Sequence, residues 1–125
     1  MTSSPSPRPS LSIVIPVYNE ERNLAELIRR VLESCRTLGC VFEVVLVNDG
    51  SKDRSADMLA EASRQNPLEI IAVLLNRNYG QHNAIFAGYS VSKGDLVINL
   101  DADLQNPLEE IGKIYNKLCE GYDVV

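Results

Sequence analysis

The sequence contains no tryptophan, a single histidine and only three cysteines among its 125 residues. The odd number of cysteines, without zinc-ligand spacing, predicts reduced structural thiols rather than a disulfide framework or a zinc site. The longest uninterrupted apolar run, residues 70–75, is six residues long, whereas a membrane-spanning helix needs roughly 20. The polar, proline-rich start is not followed by the apolar core of a signal peptide. These absences predict a cytoplasmic chain.

Positive charge is also in short supply. The 12 Lys and Arg residues are outnumbered by 17 Asp and Glu residues, which gives a formal net charge of −5. This balance argues against nucleic acid or an anionic membrane surface as the main partner. Hydrophobic residues nevertheless make up 45% of the chain, as expected for a folded domain. Residues 1–10, which hold three Pro and four Ser, predict a disordered leader before that domain.

Short apolar runs alternate with amphipathic helical patterns after the leader. The runs predict strands over residues 11–17, 41–47, 68–75, 96–100 and 122–125, with helices between them. The expected helix caps and stops are, in chain order, Asn19, Gly39, Asp53 or Ser55, Asn106 and Gly121. Small residues at 84, 87 and 88 predict close packing of the third helix on a sheet. The alternation predicts a Rossmann-like α/β fold, a parallel sheet with helices on both faces.

Acidic and amide side chains follow several of these predicted strands. Asp101 and Asp103 are two residues apart at a strand end, so that both carboxylates point the same way in an extended segment. With Gln105 they form a set of oxygen ligands suited to Mg²⁺ or Mn²⁺. The alternative is that Asp101 caps a turn and Asp103 is a solvated loop acid. The position before a capped helix, at the same rim as Asp49, favours the metal interpretation.

Other polar residues at this rim leave two interpretations open. Asp49, followed by Gly50 and Ser51, is typical of a turn, or it accepts a hydrogen bond from a nucleotide. Arg77 is either a phosphate ligand or a surface side chain. His82, near a helix start, is expected to be a cap or a surface residue. A ring at Tyr18 packs at the strand end or stacks on a base.

Four segments of the sequence, taken together, resemble the family 2 glycosyltransferases with a GT-A fold. They are SIVIPVYNEERNL (12–24), EVVLVNDGSKDRS (43–55), LLNRNYGQHNAIFAGYS (74–90) and GDLVINLDADLQNPLEEI (94–111). Within the family, the NRNYGQ and DADLQNP segments are most similar to the polyprenyl-phosphate sugar transferases. The resemblance implies transfer of a sugar from a nucleotide-sugar donor, with UDP the preferred nucleotide, to an undecaprenyl-type lipid phosphate. It places the complete enzyme at the cytoplasmic face of the inner membrane.

The resemblance also assigns roles to matching positions. The base and ribose pocket would be lined by Pro16, Tyr18, Glu20, Val47 and Asp49. The donor diphosphate would be held by Asp101, Ala102 and Asp103, and the Mg²⁺ or Mn²⁺ ion by Asp101, Asp103 and Gln105. Asn48 departs from the pattern, because many relatives carry a second Asp there. The third helix begins with His82 and Asn83, where relatives often have small residues.

The second half of a GT-A domain, which in the family supplies acceptor contacts, has no counterpart in this sequence. We therefore expect residues 11–125 to be the nucleotide-sugar-binding part of a GT-A domain, truncated inside a core strand and inactive alone. An exposed sheet edge would then favour self-association. A non-catalytic nucleotide-binding fragment is the alternative. Two other enzyme classes fit less well. A dinucleotide-binding oxidoreductase needs a G-x-G-x-x-G turn after the first strand, and this sequence has no glycine there. A phosphatase would carry its DxD motif at the first strand, whereas here the motif follows the fourth.

Overall fold

The computed structural model describes residues 9–102 and 110–122, in which strands and helices alternate. The strands are β1 (Leu11–Val17), β2 (Phe42–Asn48), β3 (Ile70–Leu74) and β4 (Leu96–Asn99). The helices are α1 (Glu21–Arg36), α2 (Ser55–Gln65), α3 (Gln81–Val91) and α4 (Glu110–Tyr122). None of these helices is long and apolar enough to cross a bilayer. The predicted alternation is confirmed over this part of the chain.

The four strands form one parallel sheet in the order β3-β2-β1-β4. β1 pairs with β2 along its whole length but with β4 only as far as Val14 and Asn99. The Leu100 N–H then donates to the Val14 carbonyl at 2.9 Å, and β4 ends. Pro16, which has no N–H, therefore lies in a central strand at a point where β4 no longer pairs. The strand order reverses between β1 and β4, where open α/β sheets bind ligands.

Both faces of the sheet are covered, as predicted. One face of β1 presents Leu11, Ile13, Ile15 and Val17 to a core that includes residues of α1, α2 and α4. The opposite face packs Val14, Val45 and Val47 against Ala84 of α3. β1 and β2 are nearly devoid of polar side chains because neighbouring residues on these strands point into different cores.

Helix α3 approaches the sheet closely through its small residues. A Cβ atom placed on Gly88 would lie 2.4 Å from Val14 Cγ1 and 3.1 Å from Val47 Cγ2. Any residue larger than glycine would therefore push α3 away from β1. The predicted close packing of this helix is confirmed.

Side chains from the β2–α2 loop and from the first residue of α2 bind N–H groups at the start of α1. The Glu20 N–H donates to Ser55 Oγ at 2.9 Å, and the Glu21 N–H donates to Asp53 Oδ2 at 3.2 Å. The predicted cap, Asn19, does not cap α1: it has a φ of 53° and accepts the Lys52 N–H at 2.8 Å. That expectation was wrong because a partner distant in sequence satisfies the helix end. The N-cap position of α2 is Arg54, and Asp53, one residue earlier, accepts the N–H of Ser55, the first helical residue, at 2.9 Å.

The end of the predicted leader is part of the fold. Pro9 is buried and its carbonyl accepts the Tyr115 hydroxyl at 2.6 Å, while the Ser10 N–H donates to Asp95 Oδ2 at 3.0 Å. The Leu96 N–H also donates to the Ser10 carbonyl at 3.0 Å. The prediction of a disordered leader was therefore wrong for Pro9 and Ser10. Their partners belong to α4 and to the segment at the start of β4, which the local sequence does not reveal.

Several predicted boundaries differ from the observed ones. β3 begins at Ile70, because Leu68 is 92% exposed in the turn that precedes it. α1 ends at Arg36, and Gly39, with a φ of 70°, lies in the turn beyond. α4 includes Gly121 and Tyr122, so a strand does not begin at residue 122. The proposed cap Asn106 and residues 123–125 lie outside the described residues.

Candidate functional site

A cavity of about 370 Å³ opens at the carboxyl edge of the sheet, between β1 and β4. This size is within the range of small-molecule sites, and the cavity occupies the point where the strand order reverses. Its lining residues come from four separate segments: Pro16, Val17, Tyr18, Glu20, Asp49, Gln81, Asp101 and Ala102. Six of the predicted site residues are therefore brought together.

The β1 side of the cavity is held by the loop that leads into α1. Tyr18 is 42% exposed, so its ring is available at the cavity wall. The left-handed backbone of Asn19 turns the chain, and the Asn19 N–H donates to Ser51 Oγ at 2.9 Å. Because the Glu20 N–H is bonded to Ser55 Oγ, the backbone of Glu20 is fixed at the cavity rim.

Asp49 is a buried carboxylate, with 3% of its surface exposed. Its Oδ1 accepts the Tyr79 N–H at 2.8 Å, and its own N–H donates to the Val17 carbonyl at 2.8 Å. The residue therefore joins the ends of β1 and β2 to the loop after β3. Asp49 therefore supports the turn and also lines the cavity, and its contact with a nucleotide stays a prediction.

Gly50 allows the loop after β3 to lie across this turn. Its φ is 71°, and a Cβ atom there would lie 2.3 Å from the Arg77 carbonyl carbon and the Asn78 nitrogen. Asn48 supports the turn by accepting the Ser51 N–H on Oδ1 at 3.2 Å. The amide of Asn48 therefore supports the turn at the position where many relatives carry a second Asp.

Asp101 and Gln81 meet at the opposite wall of the cavity. Gln81 Nε2 donates to Asp101 Oδ1 at 3.0 Å, and both side chains are exposed. Gln81 was not among the predicted site residues. The signal that points to it is its position as the first residue of α3, directly after the loop that follows β3, because helix starts of this kind face the same sheet edge.

Several other candidates lie away from the cavity. Val47 is fully buried beneath α3, and its side chain belongs to the core. The Arg77 guanidinium lies 5.0 Å from the centre of the Tyr79 ring, and neither Arg77 nor the exposed His82 lines the cavity. The Arg77 side chain thus makes a cation–π contact with Tyr79.

Negative charge dominates the described lining of the cavity. Glu20, Asp49 and Asp101 contribute three carboxyl groups, and no Lys, Arg or His is among the eight described lining residues. Across residues 9–102 and 110–122, no three His, Cys, Asp or Glu side chains come close enough to hold a metal ion. Asp103 and Gln105 lie outside the described residues, so the three-ligand metal site stays a prediction.

Comparison with known proteins gives both sequence relatives and fold relatives. The chain is 58% identical over 121 residues to undecaprenyl-phosphate 4-deoxy-4-formamido-L-arabinose transferase of Pseudomonas paraeruginosa PA7. The match covers 97% of this chain and 36% of that enzyme, so the chain spans about a third of its relative.

Two solved structures share the fold. The mannosyltransferase PcManGT of Pyrobaculum calidifontis, in complex with GDP-Man and Mn²⁺, superposes with a TM-score of 0.71 at 24% identity. This superposition covers 95% of the present chain and 34% of the PcManGT chain. S. aureus TarS 1-349, in complex with UDP-GlcNAc, superposes with a TM-score of 0.67 at 22% identity, covering 90% and 31% of the two chains. These likenesses confirm the predicted GT-A type of α/β fold.

The sequence profile of one family matches almost everything beyond the start of β1. The matched region is residues 12–125, and the profile is described as Glycosyl transferase family 2. It includes all four segments on which the resemblance was based, together with every described residue that lines the cavity. The chain therefore belongs to glycosyl transferase family 2.

Proposed function

We propose that this chain forms the donor-binding part of an enzyme that transfers a sugar from a nucleotide diphosphate, with UDP preferred, to an undecaprenyl-type phosphate. The relative from P. paraeruginosa supports the acceptor class, because its name specifies undecaprenyl phosphate. The complex of TarS with UDP-GlcNAc supports a nucleotide-sugar donor. The complete enzyme would work at the cytoplasmic face of the membrane, where a lipid phosphate presents its head group.

The observation that carries the proposal is the excess of carboxylates in the cavity. Glu20, Asp49 and Asp101 would repel a diphosphate, and the described lining offers no basic side chain to offset them. A divalent cation removes this conflict, since Mg²⁺ and Mn²⁺ bind through one or two carboxylates together with substrate phosphate oxygens. The complex of PcManGT with GDP-Man and Mn²⁺ is consistent with this.

The residues divide into two groups by their place in the cavity. Pro16, Tyr18, Glu20 and Asp49 form the wall that would receive the base and ribose, with Asp49 as hydrogen-bond acceptor. Asp101 and Ala102 form the wall for the diphosphate, and we extend this wall to Asp103 and Gln105 as metal ligands. A divalent ion held there would supply the positive charge that stabilises the leaving diphosphate.

Nucleotide binding without transfer is the alternative function. The part of the relatives beyond this chain's match is about two thirds of their length, and the acceptor contacts are assigned to none of the described residues. Self-association through an exposed sheet edge also stays a prediction.

The test is calorimetric titration of the chain with UDP, first with Mn²⁺ and then with EDTA. We expect binding with Mn²⁺ and a loss of most of it with EDTA. Equal affinity in both would contradict the metal role, and no binding in either would contradict the nucleotide site. Transfer of sugar to a polyprenyl phosphate, assayed on the same sample, separates the complete activity from nucleotide binding alone.

A further inference from the structure

Gln81 is a neutral side chain in an otherwise acidic cavity wall. Its amide nitrogen donates to Asp101 Oδ1 at 3.0 Å, and this bond joins the start of α3 to the segment that follows β4. The three carboxylates are the only charged side chains in the described lining. Gln81 donates a side-chain hydrogen bond to one of these carboxylates, that of Asp101.

The two partners are held in place by the same residue of β1. Leu100, directly before Asp101, donates its N–H to the Val14 carbonyl at 2.9 Å. Helix α3 is positioned by Gly88, which lies against the Val14 side chain. Since β1 is an inner strand of the sheet, it fixes the backbones of both Gln81 and Asp101 relative to the cavity.

The side chain of Asp101 has no such restraint of its own, because it is exposed. A hydrogen bond to one carboxylate oxygen selects a rotamer and leaves the second oxygen for a ligand. An amide donor does this without adding positive charge. A Lys or Arg at this place would orient the carboxylate equally well, but its charge would compete with a cation for the same oxygen atoms.

We infer that Gln81 is a positioning residue for Asp101, which it orients toward the divalent ion that accompanies the donor diphosphate. This inference rests on the proposed function. It assigns Gln81 to the metal-dependent part of donor binding and not to contacts with the base or ribose.

The chain offers a matched control for the test. Gln65 Nε2 donates to Glu61 Oε2 at 3.0 Å on the exposed surface of α2, which is the same type of bond outside the cavity. Gln81→Met removes the donor and keeps the length of the side chain, and Gln65→Met does the same at the control site. Gln81→Asn is the second variant, with an amide one methylene shorter. Circular dichroism melting checks that each variant is folded.

The measurement is UDP affinity by calorimetry with Mn²⁺ and with EDTA, supported by electron paramagnetic resonance of free Mn²⁺ in the presence of UDP. A lost hydrogen bond to a charged group predicts a fall of about tenfold in affinity with Mn²⁺ for both Gln81 variants. Affinity with EDTA should change by less than about twofold, and Gln65→Met should match the unsubstituted chain in both conditions.

Different results overturn different parts of this scheme. Unchanged Mn²⁺-dependent affinity in both Gln81 variants, or an equal loss with and without Mn²⁺, overturns the positioning role while the proposed function stands. An unsubstituted chain that binds UDP equally well in EDTA overturns the metal role and this inference together. An unsubstituted chain that binds no UDP overturns the proposed function and with it the inference.

Discussion

Asp49 combines burial with a hydrogen bond that a neutral amide can also make. Its Oδ1 accepts the Tyr79 N–H, and the carbonyl oxygen of an asparagine side chain accepts such a bond equally well. Its carboxylate charge is therefore dispensable for the loop. What an amide cannot reproduce is the charge of a carboxylate acceptor, and hydrogen bonds to charged groups are the stronger class.

Asp49→Asn should consequently separate folding from nucleotide binding. We expect a melting temperature within a few degrees of the unsubstituted chain and an affinity for UDP about tenfold lower, with Mn²⁺ and with EDTA alike. Asp101→Asn is the comparison, and it should weaken binding only when Mn²⁺ is present. Calorimetry on both variants checks this, and a loss confined to Mn²⁺ for Asp49→Asn would show that Asp49 acts through the metal instead.

Helix α3 leaves no room for an added methyl group at Gly88. Gly88 lies against Val14, the same residue whose carbonyl holds the segment after β4. The start of α3 supplies Gln81 to the cavity. Displacement of this helix would therefore disturb both the second core and the cavity wall.

Gly88→Ala should destabilise the domain by about 1–3 kcal/mol, because the new methyl group would overlap Val14. Gly112→Ala in α4 is the matched control, since a Cβ atom there would lie 3.6 Å from Leu38 Cδ2, an ordinary contact. It should be neutral or stabilising by up to about 1 kcal/mol, the difference in helix propensity. Urea unfolding of both variants gives the comparison, and equal free energies of unfolding would contradict this account of α3 packing.

The elements of this fold were predictable because their signals are local. Apolar runs and helical periodicity in the printed sequence located four strands and four helices to within a few residues. Asn19 and Pro9 were misjudged because their partners, Lys52 and Tyr115, are distant in sequence. Gln81 was missed for the same reason: its position at the start of α3 places it at the right edge of the sheet, but its partner Asp101 is 20 residues away in sequence.

At the scale of the whole molecule, one buried thiol, two half-buried thiols and a buried phenol lie at the end of the sheet opposite the cavity. Tyr115 is fully buried and donates to the Pro9 carbonyl. Burial raises the pKa of its hydroxyl, and hydrogen bonds with Cys40 and Cys119 raise it further. Burial also raises the pKa of the Cys35 thiol to about 12, with smaller contributions from the nearby Cys40 and Glu69.

These raised pKa values predict an alkaline limit to stability. An unfolded Cys35 would lose its proton near pH 9.0 while the folded thiol keeps it to about pH 12. The stabilisation is therefore complete below pH 9 and lost as the pH rises through this interval, at about 1.4 kcal/mol per pH unit for one group. Tyr115 adds a loss of the same sign at higher pH.

Urea unfolding at pH 7, 9, 10 and 11 under reducing conditions measures this loss. Cys35→Ala should show a shallower decline than the unsubstituted chain, because one of the two groups with a raised pKa is gone. A free energy of unfolding that stays constant from pH 8 to 11 would contradict the prediction.

The capping of α1 has a consequence for anion recognition. In dinucleotide-binding folds, the free N–H groups at the start of the first helix receive the pyrophosphate directly. Here the N–H groups of Asn19, Glu20 and Glu21 are already bonded to side chains of the β2–α2 loop and the first residue of α2, namely Ser51, Ser55 and Asp53. The positive end of the α1 dipole therefore interacts with side chains of the protein itself. An anion placed at this rim would therefore find these three N–H groups occupied, and a glycine-rich turn grafted after β1 would free them only if this loop were released as well.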